Sequence, residues 1–397
     1  VEYNPYSKAF QDDPYPIFRW MRDERPAYYN EEFDFWAVTR YEDVKEVLRD
    51  WKRFSNLDGA DIDNTEHLLA PGGLDEMDEP DHDVMRKLLQ FWFSPKSIRA
   101  KLEEPIRNEV HRIVQQLKET DECDIATELA WQLPPLVIAE MFGLPHDDRP
   151  EILGMMKPVF RRVAGDPNPP PEAIEAGQKI GEYLLGKIRD RRAEDSEGRE
   201  DIISVLVRSE IDGVPLTDAQ ILGNISFLLV ASSGTTQDAM SSMLFLLAKH
   251  PDERRKLIED PSLIPTAVEE VLRFESPVQS ACRLVLEDVD LHGEVIPKGA
   301  RVVNLLGAAN RDDRYWENPE VFDISRTPRR HLGFADGIHH CLGAPIARFE
   351  TRIVAEEVLN VMPDFELAKD PVRTIQHIGR GYEQVFIRTN VAAGVVG

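Results

Sequence analysis

The chain has 397 residues, 42% of them hydrophobic and 30% charged, the balance of a soluble globular protein with a deep core. A formal net charge of -25 repels nucleic acid and anionic membranes, so neither is expected as a partner. Only three cysteines occur, too few and too scattered for a disulfide framework, no apolar run approaches a membrane span, and the N-terminal "VEYNPYSKAF" lacks signal-peptide character; a cytoplasmic protein is expected.

In chain order, "DDPYPIFRWMRDERP" predicts a short helix closed by Pro26. "PAYYN" and "FWAVT" predict a hairpin, and the pattern from Tyr41 to Arg49 is helical. From Ser55 to Pro80 the chain is rich in Gly, Asp and Asn without a period, and reads as a long functional loop. Helical spacing dominates from Asp81 to Leu206, with Ser94-Pro95 as a start signal and "GDPNPPP" as a joint. Thr217 and Gln220 form a capping box that opens a helix of roughly 30 residues, unbroken until Pro251. "CRLVLEDVDLHGEVIP" predicts paired strands turning at His292-Gly293, and "GYEQVFIRTN" is strand-like. The expected fold is mainly α with small β-sheets in one large domain over 1–397. It comprises a mixed β/helix region over 1–60, a helical core over 80–275 and a ligand loop over 331–345.

That loop is "GFADGIHHCLG", Gly333 to Gly343. Zinc is one reading of His339, His340 and Cys341. Structural zinc takes about four ligands in two close pairs, however, and Cys123 and Cys282 offer no paired motif. The other reading covers more residues. Phe334, Gly337, Cys341 and Gly343 form F-x-x-G-x-x-x-C-x-G, in which the glycines permit a tight turn and close backbone approach. Helical spacing in "APIARFETRIVAEEVL" puts Cys341 at a helix N-terminus, where a thiolate is stabilised as a haem ligand.

On these residues the chain resembles the cytochrome P-450 family over nearly its whole length, which implies haem b with Cys341 as axial ligand. "EEVLR" supplies Glu270 and Arg273 one helical turn apart, and Arg326 of "FDISR" matches the family's second arginine; the three imply a Glu-Arg-Arg network. The resemblance also implies propionate donors at His82, Arg86, Arg283 and His339. "ASSGTTQD" aligns with the family's A-G-x-[DE]-T-T, so Ser233, Gly234 and Thr235 lie at the oxygen-activation site. Thr235 is the dioxygen-side alcohol. Gly234 replaces the usual acid, so incomplete coupling is expected, with improvement from a carboxylate restored there. A core threonine bonding back one turn is the alternative for Thr235. Asp238 lies on a neighbouring part of the helix face. The pocket wall is expected to include Phe227, Ala231, Val278, Gln279 and Ile378.

The family resemblance implies a bacterial-type monooxygenase acting on a small-to-medium, largely apolar or aromatic substrate, by hydroxylation or O/N-dealkylation. The chain carries no nucleotide motif and no ferredoxin-like cysteine set, so electrons are expected from a separate ferredoxin and its reductase, with O2 as co-substrate and the protein as a monomer. The alternatives are a peroxide-driven hydroxylase and a haem-thiolate sensor. Arg86, Lys87, Lys96, Arg99 and Lys101 run without an intervening acid, and with Arg329, Arg330 and Arg348 they suggest a docking patch for an acidic donor.

Overall fold

Residues 2–63, 68–194, 198–327 and 329–389 are described by a computed structural model. The Thr217 hydroxyl accepts from the Gln220 N–H at 3.3 Å, and Gln220 Oε1 accepts from the Thr217 N–H at 2.9 Å. This reciprocal cap starts a helix over Asp218–Lys249, 32 residues long and ended just before Pro251. Its residues from Ile221 to Leu247 are mostly buried, because helices pack on several of its sides: Pro134–Phe142, Pro171–Ala193 and Ala344–Val361.

The region from Asp81 to Leu206 is helical as its spacing predicts, over Asp81–Leu89, Pro95–Lys118, Pro134–Phe142, Arg149–Val159, Pro171–Ala193 and Ile202–Arg208. Ser94 caps the second of these by accepting from the Ser97 N–H at 3.2 Å. The proline-rich joint separates Arg149–Val159 from Pro171–Ala193. One insertion departs from expectation. Glu122–Asp124 is a strand, because it pairs antiparallel with Phe386–Arg388 far along the chain. A single π-helical turn, Ala126–Ala130, follows it.

The expected N-terminal hairpin is present as Ala27–Asn30 and Phe35–Val38. It joins a five-stranded sheet through a parallel pairing with Arg301–Leu305, which then pairs antiparallel with Ser280–Val285; Phe54–Ser55 is the far edge. His292 and Gly293 turn the small hairpin Val289–Leu291/Glu294–Ile296, with positive φ of 58° and 84°. The strand-like tail forms Tyr382–Gln384 and Phe386–Arg388; Asn390 lies outside the described residues. Among its described residues, the segment after Phe54–Ser55 is irregular except for the short turn Leu74–Glu76, and that turn lies against the long helix. Sheet edge, irregular segment, long helix and cysteine loop therefore meet around one space.

Candidate active site around Cys341

The loop before Cys341 is shaped by close backbone approach. Gly337 has φ 72°, and a Cβ there would meet the Leu48 carbonyl oxygen at 2.5 Å, so only glycine fits. The Cys341 N–H donates to the Phe334 carbonyl at 2.9 Å, closing the loop just before the helix Ala344–Val361. Burial pushes the Cys341 thiol up; the backbone N–H groups of Gly343 and Ala344, with Arg86, act against that rise. A Cβ at Gly343 would make ordinary van der Waals contact with Cys341 Sγ, at 3.8 Å. Cys123 and Cys282 are buried elsewhere, each pushed up to about 12 chiefly by burial. Among the described residues no three His, Cys, Asp or Glu side chains converge as a metal site, so zinc has no support.

Cys341 lies in the wall of a cavity of about 280 Å³. Four of its lining residues suit two carboxylates. His82 is 1% exposed and neither ring nitrogen has a hydrogen-bond partner; His339 Nε2 has none either, and the two rings lie 4.2 Å apart. Burial, then Arg283 and His82, hold the His339 imidazole down at about 2. Arg283 is buried, and its guanidinium donates to the neighbouring Cys282 carbonyl at 2.6 Å. Arg86 donates to the His340 carbonyl at 2.7 Å. Buried donors without strong acceptors are costly, and two propionates would satisfy them. The residues present fit the group.

On the long helix, Phe227, Ala231, Ser232, Thr235 and Thr236 line this cavity. The Thr235 hydroxyl donates to the Ala231 carbonyl at 2.7 Å, the back-bond of the core-threonine alternative, yet the side chain stays in the cavity wall. The two sequence readings of Thr235 are thus compatible. Neighbouring expectations need correction. Ser233 is buried and donates to the Leu229 carbonyl at 2.7 Å; it does not line the cavity. A Cβ at Gly234 would meet Phe160 Cε1 at 2.7 Å, so a carboxylate placed there would strike an aromatic ring rather than enter the cavity. Asp238 has both carboxylate oxygens unpartnered and faces Gly381, away from the cavity lining.

Val278 lines the cavity, but Gln279 and Ile378 do not. The Gln279 amide turns back to the end of the preceding helix, donating to the carbonyls of Glu275 at 2.8 Å and Ser276 at 2.7 Å. Ile378 packs on the N-terminal aromatic cluster, with Tyr3 and Phe33 among its members.

Behind the loop, Glu270 receives Arg273 at 2.7 and 2.8 Å and Arg326 at 3.1 and 3.2 Å. Arg273 also donates to the carbonyls of Asn310 and Pro319 at 2.9 and 3.0 Å, while Asn310 Oδ1 accepts from the Leu332 N–H at 2.7 Å. The network thereby holds the root of the cysteine loop. A second tie was not anticipated from the sequence. Glu269 receives Arg348 at 2.6 and 3.0 Å and faces His331 at 3.1 Å, while the Arg348 guanidinium lies over the Phe334 ring at 4.4 Å. The only sequence signal of Glu269 is its adjacency to the Glu-x-x-Arg pair.

The basic stretch is less uniform than its sequence suggests. Lys87 pairs with Asp83 at 2.6 Å, Lys101 with Glu200 at 2.8 Å and Arg330 with Asp336 at 2.7 Å. Arg86 is turned into the cavity wall. Lys96 and Arg99 stay exposed, with Arg99 3.8 Å from Glu103. No described helix is long and apolar enough to cross a membrane.

Comparison with known proteins agrees with this geometry. The family model for cytochrome P-450 matches residues 6–381. Cytochrome P-450-terp of a Pseudomonas species is 34% identical over 415 residues, covering 96% of this chain and 95% of that protein. The crystal structure of CYP109E1 from Bacillus megaterium in complex with testosterone is 31% identical with a TM-score of 0.87, covering 97% of this chain and all of that one. Cytochrome P-450 PksS of Bacillus subtilis is 30% identical with a TM-score of 0.88, covering 98% of this chain. The chain belongs to the cytochrome P-450 family of haem-thiolate monooxygenases, with Cys341 as the cysteine that ligates haem b.

Proposed function

We propose that this chain inserts one atom of O2 into a small-to-medium, largely apolar or aromatic molecule, by hydroxylation or O/N-dealkylation, with electrons from a separate ferredoxin and its reductase. The observation that carries this reading is one cavity whose wall contains Cys341, the four donors His82, Arg86, Arg283 and His339, and the Thr235 side chain. The haem, when bound, supplies thiolate-assisted activation of dioxygen. The chain's own residues bind, orient and exclude water. Arg86, Arg283, His82 and His339 hold the propionate edge. Phe227, Ala231 and Val278 supply apolar wall, in keeping with the steroid bound by CYP109E1. Thr235, its own proton committed to the Ala231 carbonyl, offers its oxygen as an acceptor, and Ser232 in the same wall, donating to the Leu229 carbonyl at 3.1 Å, offers a second. Lys96, Arg99 and Arg329 are exposed cations offered to an acidic electron donor, and a cytoplasmic monomer is the working state.

The test is turnover under 18O2 with NAD(P)H, a ferredoxin, its reductase and a substrate that displaces iron-bound water. Product carrying one labelled oxygen is expected. A hydroxylated product whose oxygen is drawn from water would refute the reading. Gly234 favours a second route, because peroxide brings both oxygen and protons and bypasses the missing acid. If peroxide alone matches the full electron-transfer system in rate, the peroxide-driven reading replaces the first.

A further inference from the structure

The haem's two propionates account for two of the cavity's charges, Arg86 and Arg283. They do not account for one of its acids, Asp75. Asp61 and Asp75, both from the irregular segment after Phe54–Ser55, line the same otherwise largely apolar space. Asp75 is the informative one. A Cβ added at Gly73 would meet Asp75 Oδ1 at 2.6 Å and Phe227 Cβ at 3.0 Å, so the carboxyl lies beside the first long-helix residue of the cavity wall. Among the described residues, its own backbone N–H is the donor that meets this carboxyl, and no cation pairs with it. Arg283 responds to Cys282 and Asp78, and Arg86 to Cys341, so neither propionate cation neutralises Asp75.

An independent observation lies beside it. Asn56 is 2% exposed and lines the cavity; its Nδ2 donates to the Asp75 backbone carbonyl at 3.0 Å, while its Oδ1 is buried without a partner. Such a site contains acceptors in want of a donor, and an uncompensated carboxylate in low dielectric is costly until a cation joins it. Phe227 precedes Thr235 by about eight residues, which at 1.5 Å per residue sets Asp75 about 12 Å along the helix from the oxygen-activation end.

We infer that Asp75, with Asn56 beside it, anchors a positively charged nitrogen, so that the preferred substrates are elongated apolar molecules with an ammonium group about 12 Å from the carbon that is oxidised. This rests on the proposed haem at Cys341 and narrows the substrate class of that same cavity. Burial, then the charges of Glu76 and Asp61, push the Asp75 carboxyl up to about 8. His82, Arg86, Arg283 and His339 also line the cavity. An arriving cation therefore finds a protonated acid below about pH 8 and must displace its proton, so cation affinity rises with pH up to that point.

The holoenzyme is titrated, by iron spin-state shift and by calorimetry, with decyltrimethylammonium and with the neutral isostere in which carbon replaces nitrogen. A quaternary nitrogen cannot ligate iron. At about pH 8 the wild type binds the cation at least about tenfold more tightly than the isostere, and Asp75→Asn removes that advantage while leaving isostere affinity within about twofold. Asp75→Glu retains part of it. The cation preference falls toward pH 6 in the wild type and stays flat in Asp75→Asn. A wild type that binds both ligands equally, or binds neither, overturns the inference, as does an Asp75→Asn variant that keeps the preference. Each protein is first checked for a thiolate-type CO spectrum. Its absence would overturn the haem reading and this inference together; its presence with no cation preference would overturn this inference alone.

Discussion

Replacing Glu270 by Gln tests how the cysteine loop is held. Glu270 is 3% exposed and accepts from two guanidinium groups and from the Asp323 N–H at 3.0 Å. Glutamine keeps the shape but loses the charge, and its amide presents N–H to a guanidinium N–H. Arg273, 1% exposed, is then a buried cation without its counter-ion. Removing one partner of a buried pair costs about 3–5 kcal/mol. Arg273 keeps carbonyl acceptors at Asn310 and Pro319, and Arg326 is partly open to water, so the lower end, about 3 kcal/mol, is expected. Urea denaturation of the holoenzyme measures it, with haem retention read alongside, because Asn310 links the network to the Leu332 N–H at the loop's root. A loss below about 1 kcal/mol with full haem retention would place the network among ordinary surface pairs and refute the reasoning.

Three further outcomes follow from particular contacts. Gly234→Asp is expected to destabilise by about 1–3 kcal/mol and to leave coupling unimproved, because the new side chain meets Phe160; product yield per NAD(P)H and thermal melting check both parts. Thr235→Ala is expected to raise the share of electrons lost as hydrogen peroxide, measured with a substrate giving a full spin-state shift; unchanged coupling would reduce Thr235 to its back-bond with Ala231. Glu269 is half-buried, which alone would raise its carboxyl, but His331 and Arg348 outweigh that and hold it at about 2 against an ordinary 4.5. A depressed carboxyl contributes stability above about pH 4.5 that is lost as pH falls toward 2, so Glu269→Gln flattens the acid side of a stability-versus-pH curve; an unchanged slope would show the ties to be weak.

What the sequence made legible was local. A reciprocal cap and an unbroken apolar run defined the long helix. A glycine-framed cysteine followed by helical spacing defined the ligand loop, and i, i+3 spacing paired Glu270 with Arg273. What it hid was set by distant chain. The strand at Cys123 exists because Ile387 stands opposite it, a pairing invisible in a helical neighbourhood. Gln279 and Ile378 read as pocket residues by position, but helix-end carbonyls and an aromatic cluster claim them. Gly234 looked like a missing acid, whereas Phe160, from another helix's end, fills the place of its side chain. Asp75 was hidden in an acid-rich segment without period, where sequence offers no sign of which carboxyl faces inward.

The most direct test of the account is the CO spectrum of the reduced protein in three cysteine variants. Cys123→Ser and Cys282→Ser should retain the long-wavelength Soret band of thiolate-ligated haem, since both thiols are buried away from the cavity. Cys341→Ser should lose that band while still binding haem through His82, Arg86, Arg283 and His339. A Cys341→Ser protein with an unchanged thiolate-type spectrum would contradict the account at its centre.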